Sequence, residues 1–105
     1  MSKAAKIEEV ANRLSVALRH KIGAMLGPNK EWAKRYLIDS MKHIEETKEI
    51  IVDLHLNLQD KEELREKLRH KLEKELRSCE FIGEEKFQIM DSEIDKALKD
   101  LGLLP

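Results

Sequence analysis

Aromatic residues, glycine, proline and cysteine are all scarce in this sequence. Its 105 residues include two Phe, one Trp, one Tyr, four Gly, two Pro and one Cys. So few aromatic and turn-forming residues exclude an all-β domain, whose strands and tight turns depend on them. The single cysteine excludes a disulfide within the chain.

Long hydrophobic runs are also missing. The longest aliphatic run is Ile50, Ile51 and Val52, far short of the roughly 18 apolar residues that a membrane-spanning helix needs. Charged residues at positions 3, 6, 8 and 9 stand where a signal peptide would carry its apolar stretch. We therefore expect no membrane span, and with the lone Cys79 these features predict a cytoplasmic protein.

Charged residues, in contrast, make up 39% of the chain, and hydrophobic residues make up 41%. This balance is typical of long helices that have one apolar and one polar face. A mass of 12.3 kDa allows one domain. Because no linker-like or low-complexity tract interrupts the sequence, residues 1–105 are predicted to form a single helical domain.

Two long helices are predicted in the first half of the chain. The first spans about residues 3–26, since apolar residues recur at spacings of three and four after the N-cap Ser2. Gly27, in a left-handed conformation, and Pro28 are predicted to end it.

The second helix spans about residues 30–58, with Asn29 as its N-cap. Apolar residues repeat every seven positions along it: Leu37, Ile44, Ile51 and Leu58. The connection between the two helices is so short that they must fold back as an antiparallel hairpin.

Two shorter helices complete the predicted fold. The third spans about residues 61–80, starts at an Asp60 cap and carries a leucine every fourth residue: Leu64, Leu68, Leu72 and Leu76. This ridge spirals around the helix and should contact two neighbours. The fourth spans about residues 84–101, after Gly83. The prediction is an all-α four-helix bundle built from a long antiparallel hairpin followed by two shorter helices.

His20 carries the most specific functional hypothesis. It lies late in the first helix, and with the segment Ile50–Leu54 it resembles the dimerisation and phosphoacceptor hairpin of sensor histidine kinases over about half the chain. The resemblance implies a phosphotransfer component with His20 as phosphoacceptor. That family usually has an acidic residue after the histidine and often a proline five positions on, where this chain has Lys21 and Met25. Because both positions depart from the family pattern, phosphotransfer is the alternative function and not the leading one.

Metal binding and thiol catalysis have weaker sequence signals. Inward-pointing Glu-x-x-His pairs build di-iron sites in helical bundles, whereas here Asp39–His43 and Glu66–His70 are spaced four apart and lie off the apolar stripes. Cys79 has no histidine nearby in the sequence and is followed by apolar residues, as expected of a core cysteine. We expect no metal, no cofactor and no enzymatic activity.

The charge is distributed unevenly along the chain. Residues 1–36 hold eight Lys or Arg against three Glu, and the remainder holds twelve basic against eighteen acidic residues. A patch for an anionic partner could form near the first turn from six basic residues: Arg13, Arg19, Lys21, Lys30, Lys34 and Arg35. With Trp32 and Tyr36 available for stacking, a nucleic-acid-associated protein is the third hypothesis, although a pI near 6.4 disfavours it.

The second helix points to the leading hypothesis. Ser40 and Thr47 occupy positions of its apolar seam where leucine would pack better. The long hairpin also exceeds the shorter helices in length, so they cannot cover it completely. We therefore expect a non-enzymatic interaction or regulatory module that self-associates as a homodimer through its hairpin or binds a helical protein partner.

Overall fold

A computed structural model describes residues 2–104 and contains four α-helices and no strand within that range. They are α1 (Lys3–Leu26), α2 (Lys30–Val52), α3 (Leu58–Arg77) and α4 (Glu85–Asp100). The helix α1 packs along α2 in a long hairpin, so the predicted all-α bundle is confirmed.

The boundary between α2 and α3 differs from the prediction. The helix α2 ends at Val52, not at residue 58, and α3 begins three residues earlier than predicted. The cause is local: the Asn57 side chain accepts a hydrogen bond from the Asp60 N–H at 2.8 Å, and the Asp60 carboxylate accepts one from the Asn57 N–H at 3.0 Å. This reciprocal capping box makes Asn57 the N-cap in place of Asp60.

The turn between α1 and α2 also differs in detail. Gly27 has φ −72° and an extended conformation, so the predicted left-handed residue is wrong here. Its N–H donates to the Gly23 carbonyl at 2.8 Å. A Cβ on Gly27 would collide with that carbonyl oxygen, which explains why glycine occupies this close approach. The helix still ends where predicted, before Pro28.

The helix α1 is the centre of the bundle, because it packs against each of the other three helices. The leucine ridge of α3 is wholly buried and contacts two neighbours, α1 and α4, as predicted. The helix α2, by contrast, packs extensively only against α1. One side of α2 therefore contributes to the fold, and the other is left open.

The most buried positions on the α2 side of this contact hold small polar residues, beside the partly buried Ile44, Ile50 and Ile51. Ser40 and Thr47 are the buried residues of α2, and the Thr47 hydroxyl donates to the His43 carbonyl at 2.7 Å. A buried hydroxyl satisfied within its own helix needs no partner across the interface. Small side chains at these positions let the two helix backbones approach closely.

We predict that Thr47→Leu lowers the free energy of unfolding by about 1–3 kcal/mol, because the larger side chain must force α1 and α2 apart. Thr47 is wholly buried, whereas Lys42 on the same helix is exposed. Lys42→Leu is therefore the matched control and should change stability by no more than about 0.5 kcal/mol. Urea denaturation measures both; equal losses would contradict close packing at Thr47.

Candidate functional site

The open side of α2 carries a row of exposed apolar side chains. Leu37, Ile38 and Met41 are 41%, 57% and 68% exposed, and Val52 is 76% exposed. Residues spaced by one, four and eleven positions fall on one side of a 3.6-residue helix, because eleven residues complete just over three turns. We call Leu37, Ile38, Met41 and Val52 the α2 outer face.

Two ends of opposite charge flank the α2 outer face. Exposed Lys30, Lys34 and Arg35 lie at its amino-terminal end. The carboxyl-terminal end carries more acidic than basic side chains: Glu45, Glu46, Glu49 and Asp53 against Lys48. Lys48 also pairs with Glu45 at 3.1 Å. The helix therefore presents Leu37, Ile38 and Met41 between a basic and an acidic end, and Val52 lies within the acidic end.

The predicted six-residue basic patch is divided by ion pairs. The Arg13 guanidinium lies 3.3 Å from Glu9 and 3.4 Å from Glu46. Arg19 lies 3.3 Å from Glu75. Of the six patch residues, Lys30, Lys34 and Arg35 are the three that form no ion pair with residues 2–104. An anionic partner at this patch stays a prediction, resting on the three residues at the start of α2.

The remaining patch residue, Lys21, forms an ion pair that sequence reasoning missed. Its ammonium lies 2.7 Å from an oxygen of Glu93, which is 2% exposed on α4. That oxygen has no well-aligned hydrogen bond, so the contact is an electrostatic pair rather than a directed bond. The local sequence does not indicate that Glu93 is buried or paired, because it is one of several charged residues in the amphipathic pattern of α4.

His20 lies between α1 and α2. Its ring stacks on Tyr36 with centroids 5.3 Å apart and an interplanar angle of 14°. The His43 ring lies 6.1 Å away. Nε2 lies 3.3 Å from a guanidinium nitrogen of Arg19, and Nδ1 is buried without a hydrogen-bond partner within the described residues. The sequence could not show this enclosure, because Tyr36 and His43 belong to the other helix.

This environment lowers the pKa of His20 below its usual 6.5, chiefly because burial disfavours the charged ring. The positive charges of Arg19 and His43 act in the same direction, and the carboxylate of Asp39 opposes them. A phosphoryl donor needs a ring nitrogen that it can reach, and here one nitrogen is enclosed and the other faces Arg19. Phosphorylation of His20 stays the alternative hypothesis, and this geometry does not favour it.

We predict that His20 makes folding sensitive to mild acid. The unfolded chain protonates this ring near its ordinary pKa of about 6.5, and the folded protein resists protonation until a lower pH. The unfolded state therefore binds more protons in this window, so the free energy of unfolding falls as pH drops through it and is unaffected at higher pH.

The measurement is urea denaturation of wild type and His20→Gln at neutral pH and at about pH 5.5. The other three histidines are present in both proteins, so they serve as an internal control. We expect a smaller acid-dependent loss in His20→Gln. The same loss in both proteins would show that His20 is not the sensitive group.

Among residues 2–104, no three His, Cys, Asp or Glu side chains are placed to hold a metal ion. Cys79 is a free, buried thiol that packs in the hydrophobic core. At the hairpin end, Trp32 meets Tyr36 edge-on at 6.1 Å beside a groove of about 220 Å³, which Phe81 also lines.

The sequence indicates only part of the α2 outer face. The heptad pattern places Leu37 and Leu58 on the packed stripe of the second helix, but both are exposed, and Leu58 belongs to α3. Ile38 and Met41 lie outside that heptad pattern, and with Leu37 they form an apolar i, i+1, i+4 pattern, which is a signal of a second apolar face.

The chain matches no protein-family model, no curated protein and no solved structure. No helix among the described residues has the length and apolar character needed to cross a membrane.

Proposed function

We propose that this protein is a non-enzymatic interaction module that self-associates as a homodimer through the α2 outer face. The observation that carries the proposal is the row of exposed apolar side chains on a helix that has one packing neighbour. Complete burial of a fully exposed apolar side chain contributes about 1.5–3 kcal/mol, and these four side chains are 41–76% exposed, so each can gain part of that value. Leu37, Ile38 and Met41 lie close together on this face, and exposed apolar residues grouped in this way typically mark a protein contact site.

A second copy of the chain suits this surface because the surface is self-complementary. Its middle is apolar and its two ends carry opposite charges. The formal net charge of −1 also adds little repulsion between copies. An unrelated helical protein could use the same face, and competition with self-association would reveal it.

The competing functions have less support. Nucleic-acid binding would rest on Lys30, Lys34 and Arg35 beside an acidic half-helix, because three of the six predicted residues are in ion pairs. Phosphotransfer would require the His20 ring to leave its stack on Tyr36. The cytoplasm stays our proposed location, since a free buried cysteine suits a reducing compartment.

Sedimentation velocity over a dilution series around micromolar concentration tests the proposal. We expect the weight-average mass to rise with concentration from 12.3 kDa toward twice that value. A mass that stays at 12.3 kDa at every concentration would refute self-association and leave a partner of different sequence as the occupant of the α2 outer face.

A further inference from the structure

The charges along α2 specify how two copies should be oriented. We propose that the dimer forms by antiparallel packing of α2 against α2 of a second copy, with the twofold axis near Met41. This inference rests on the proposed function, because it names the geometry of that same contact.

The midpoint of α2 coincides with its most apolar exposed region. Met41 lies eleven residues from Lys30 and eleven from Val52, the two ends of the helix. It is 68% exposed, and Leu37 and Ile38 lie within one turn of it. In an antiparallel pair with twofold symmetry, the central residue meets its own counterpart and residues on either side exchange places. An axis at Met41 therefore places the two Met41 side chains against each other, with Leu37 and Ile38 of each copy within about 6 Å of the other copy's Met41 along the helix axis.

Antiparallel packing also places ends of opposite net charge beside each other. The first six residues of α2 include three basic side chains against Glu31. The segment 45–53 includes four acidic side chains against Lys48. With the axis at Met41, Lys34 lies opposite Lys48 of the other copy and within one helical turn of its Glu45 and Glu49, so a basic end meets an end of net negative charge.

Parallel packing would do the reverse. It would place the basic ends of both copies together and the acidic ends together, and like charges in close contact weaken association. The helix dipoles reinforce the preference for antiparallel packing. In that arrangement each positive amino-terminal end lies beside a negative carboxyl-terminal end, and in parallel packing it does not. Two independent electrostatic effects thus favour one orientation of the same apolar contact.

Site-specific cross-linking separates the two orientations. Lys34 and Lys48 lie seven residues on either side of Met41 and on its side of the helix. In a Cys79→Ser background, which removes the native thiol, one protein carries Lys34→Cys and the other carries Lys48→Cys. Both variants lose one lysine, so their charges are matched. The two proteins are mixed, oxidised gently and digested, and the linked peptides are identified by mass spectrometry.

We expect cross-links between position 34 of one copy and position 48 of the other. Links between two copies of position 34, or two of position 48, should be absent, because the antiparallel arrangement separates each like pair by about 21 Å along the axis. A disulfide needs Cα atoms within about 7 Å. Predominant links between like positions in a protein that sediments as a dimer would overturn the orientation and leave the proposed function standing. A monomer in sedimentation would overturn both.

Discussion

Met41→Glu is expected to weaken self-association at least about 30-fold. Side chains at the centre of an interface contribute about 2 kcal/mol or more, and each 1.4 kcal/mol is tenfold in the dissociation constant. Met41 is the most exposed apolar side chain in the middle of α2, at 68%. Glutamate removes its apolar contact and also places an unpaired carboxylate in the interface, twice in a symmetric dimer.

Two controls separate this effect from general charge and from side-chain shape. Gln88→Glu adds the same single negative charge on the exposed surface of α4 and should leave the dissociation constant unchanged. Met41→Leu keeps an apolar side chain of similar volume and should retain the dimer. Sedimentation equilibrium gives all three constants. If Met41→Glu associates as tightly as wild type, the contact does not use the middle of α2.

Leu68→Ala is expected to lower the free energy of unfolding by about 2–5 kcal/mol. Leu68 lies on the α3 ridge that packs between α1 and α4, and its side chain is completely buried. Alanine leaves a cavity that three rigid helices cannot close, so both the transfer energy and the surrounding contacts are lost. Small domains have only about 5–15 kcal/mol of stability in total, so this variant loses a large share of it.

The matched control makes the same substitution at an exposed leucine. Leu58 begins the same helix and is 74% exposed. Leu58→Ala should change stability by no more than about 0.5 kcal/mol. Urea denaturation followed by circular dichroism measures both variants. Equal losses at Leu58 and Leu68 would contradict the assignment of the α3 ridge to the core.

Local patterns were sufficient to predict much of this fold. The Gly27–Pro28 pair ends α1 where expected, and the four-residue leucine spacing of α3 correctly indicates contacts with two helices. The end of α2 was wrong because the heptad pattern continues to Leu58 after the helix has stopped. The capping box of Asn57 and Asp60 fixes the start of α3 at Leu58, so Leu58 belongs to the next helix.

The candidate site was harder to predict, because it depends on which helices are neighbours. The heptad pattern identifies the face of α2 that meets α1, but it does not tell how many helices pack around α2. Ile38 and Met41 become a surface only because α3 and α4 pack on other sides of α1. His20 is similar: its burial depends on Tyr36, sixteen residues away on the facing helix.

The central claim is that the α2 outer face is the contact surface, and methyl NMR of methionine tests it most directly. Met41 lies in the middle of that face, Met25 is 50% exposed at the end of α1, and Met90 is buried. On dilution across the range where the mass changes, we predict that the Met41 methyl resonance shifts while those of Met25 and Met90 stay fixed. A shift at Met25 with none at Met41 would contradict the account.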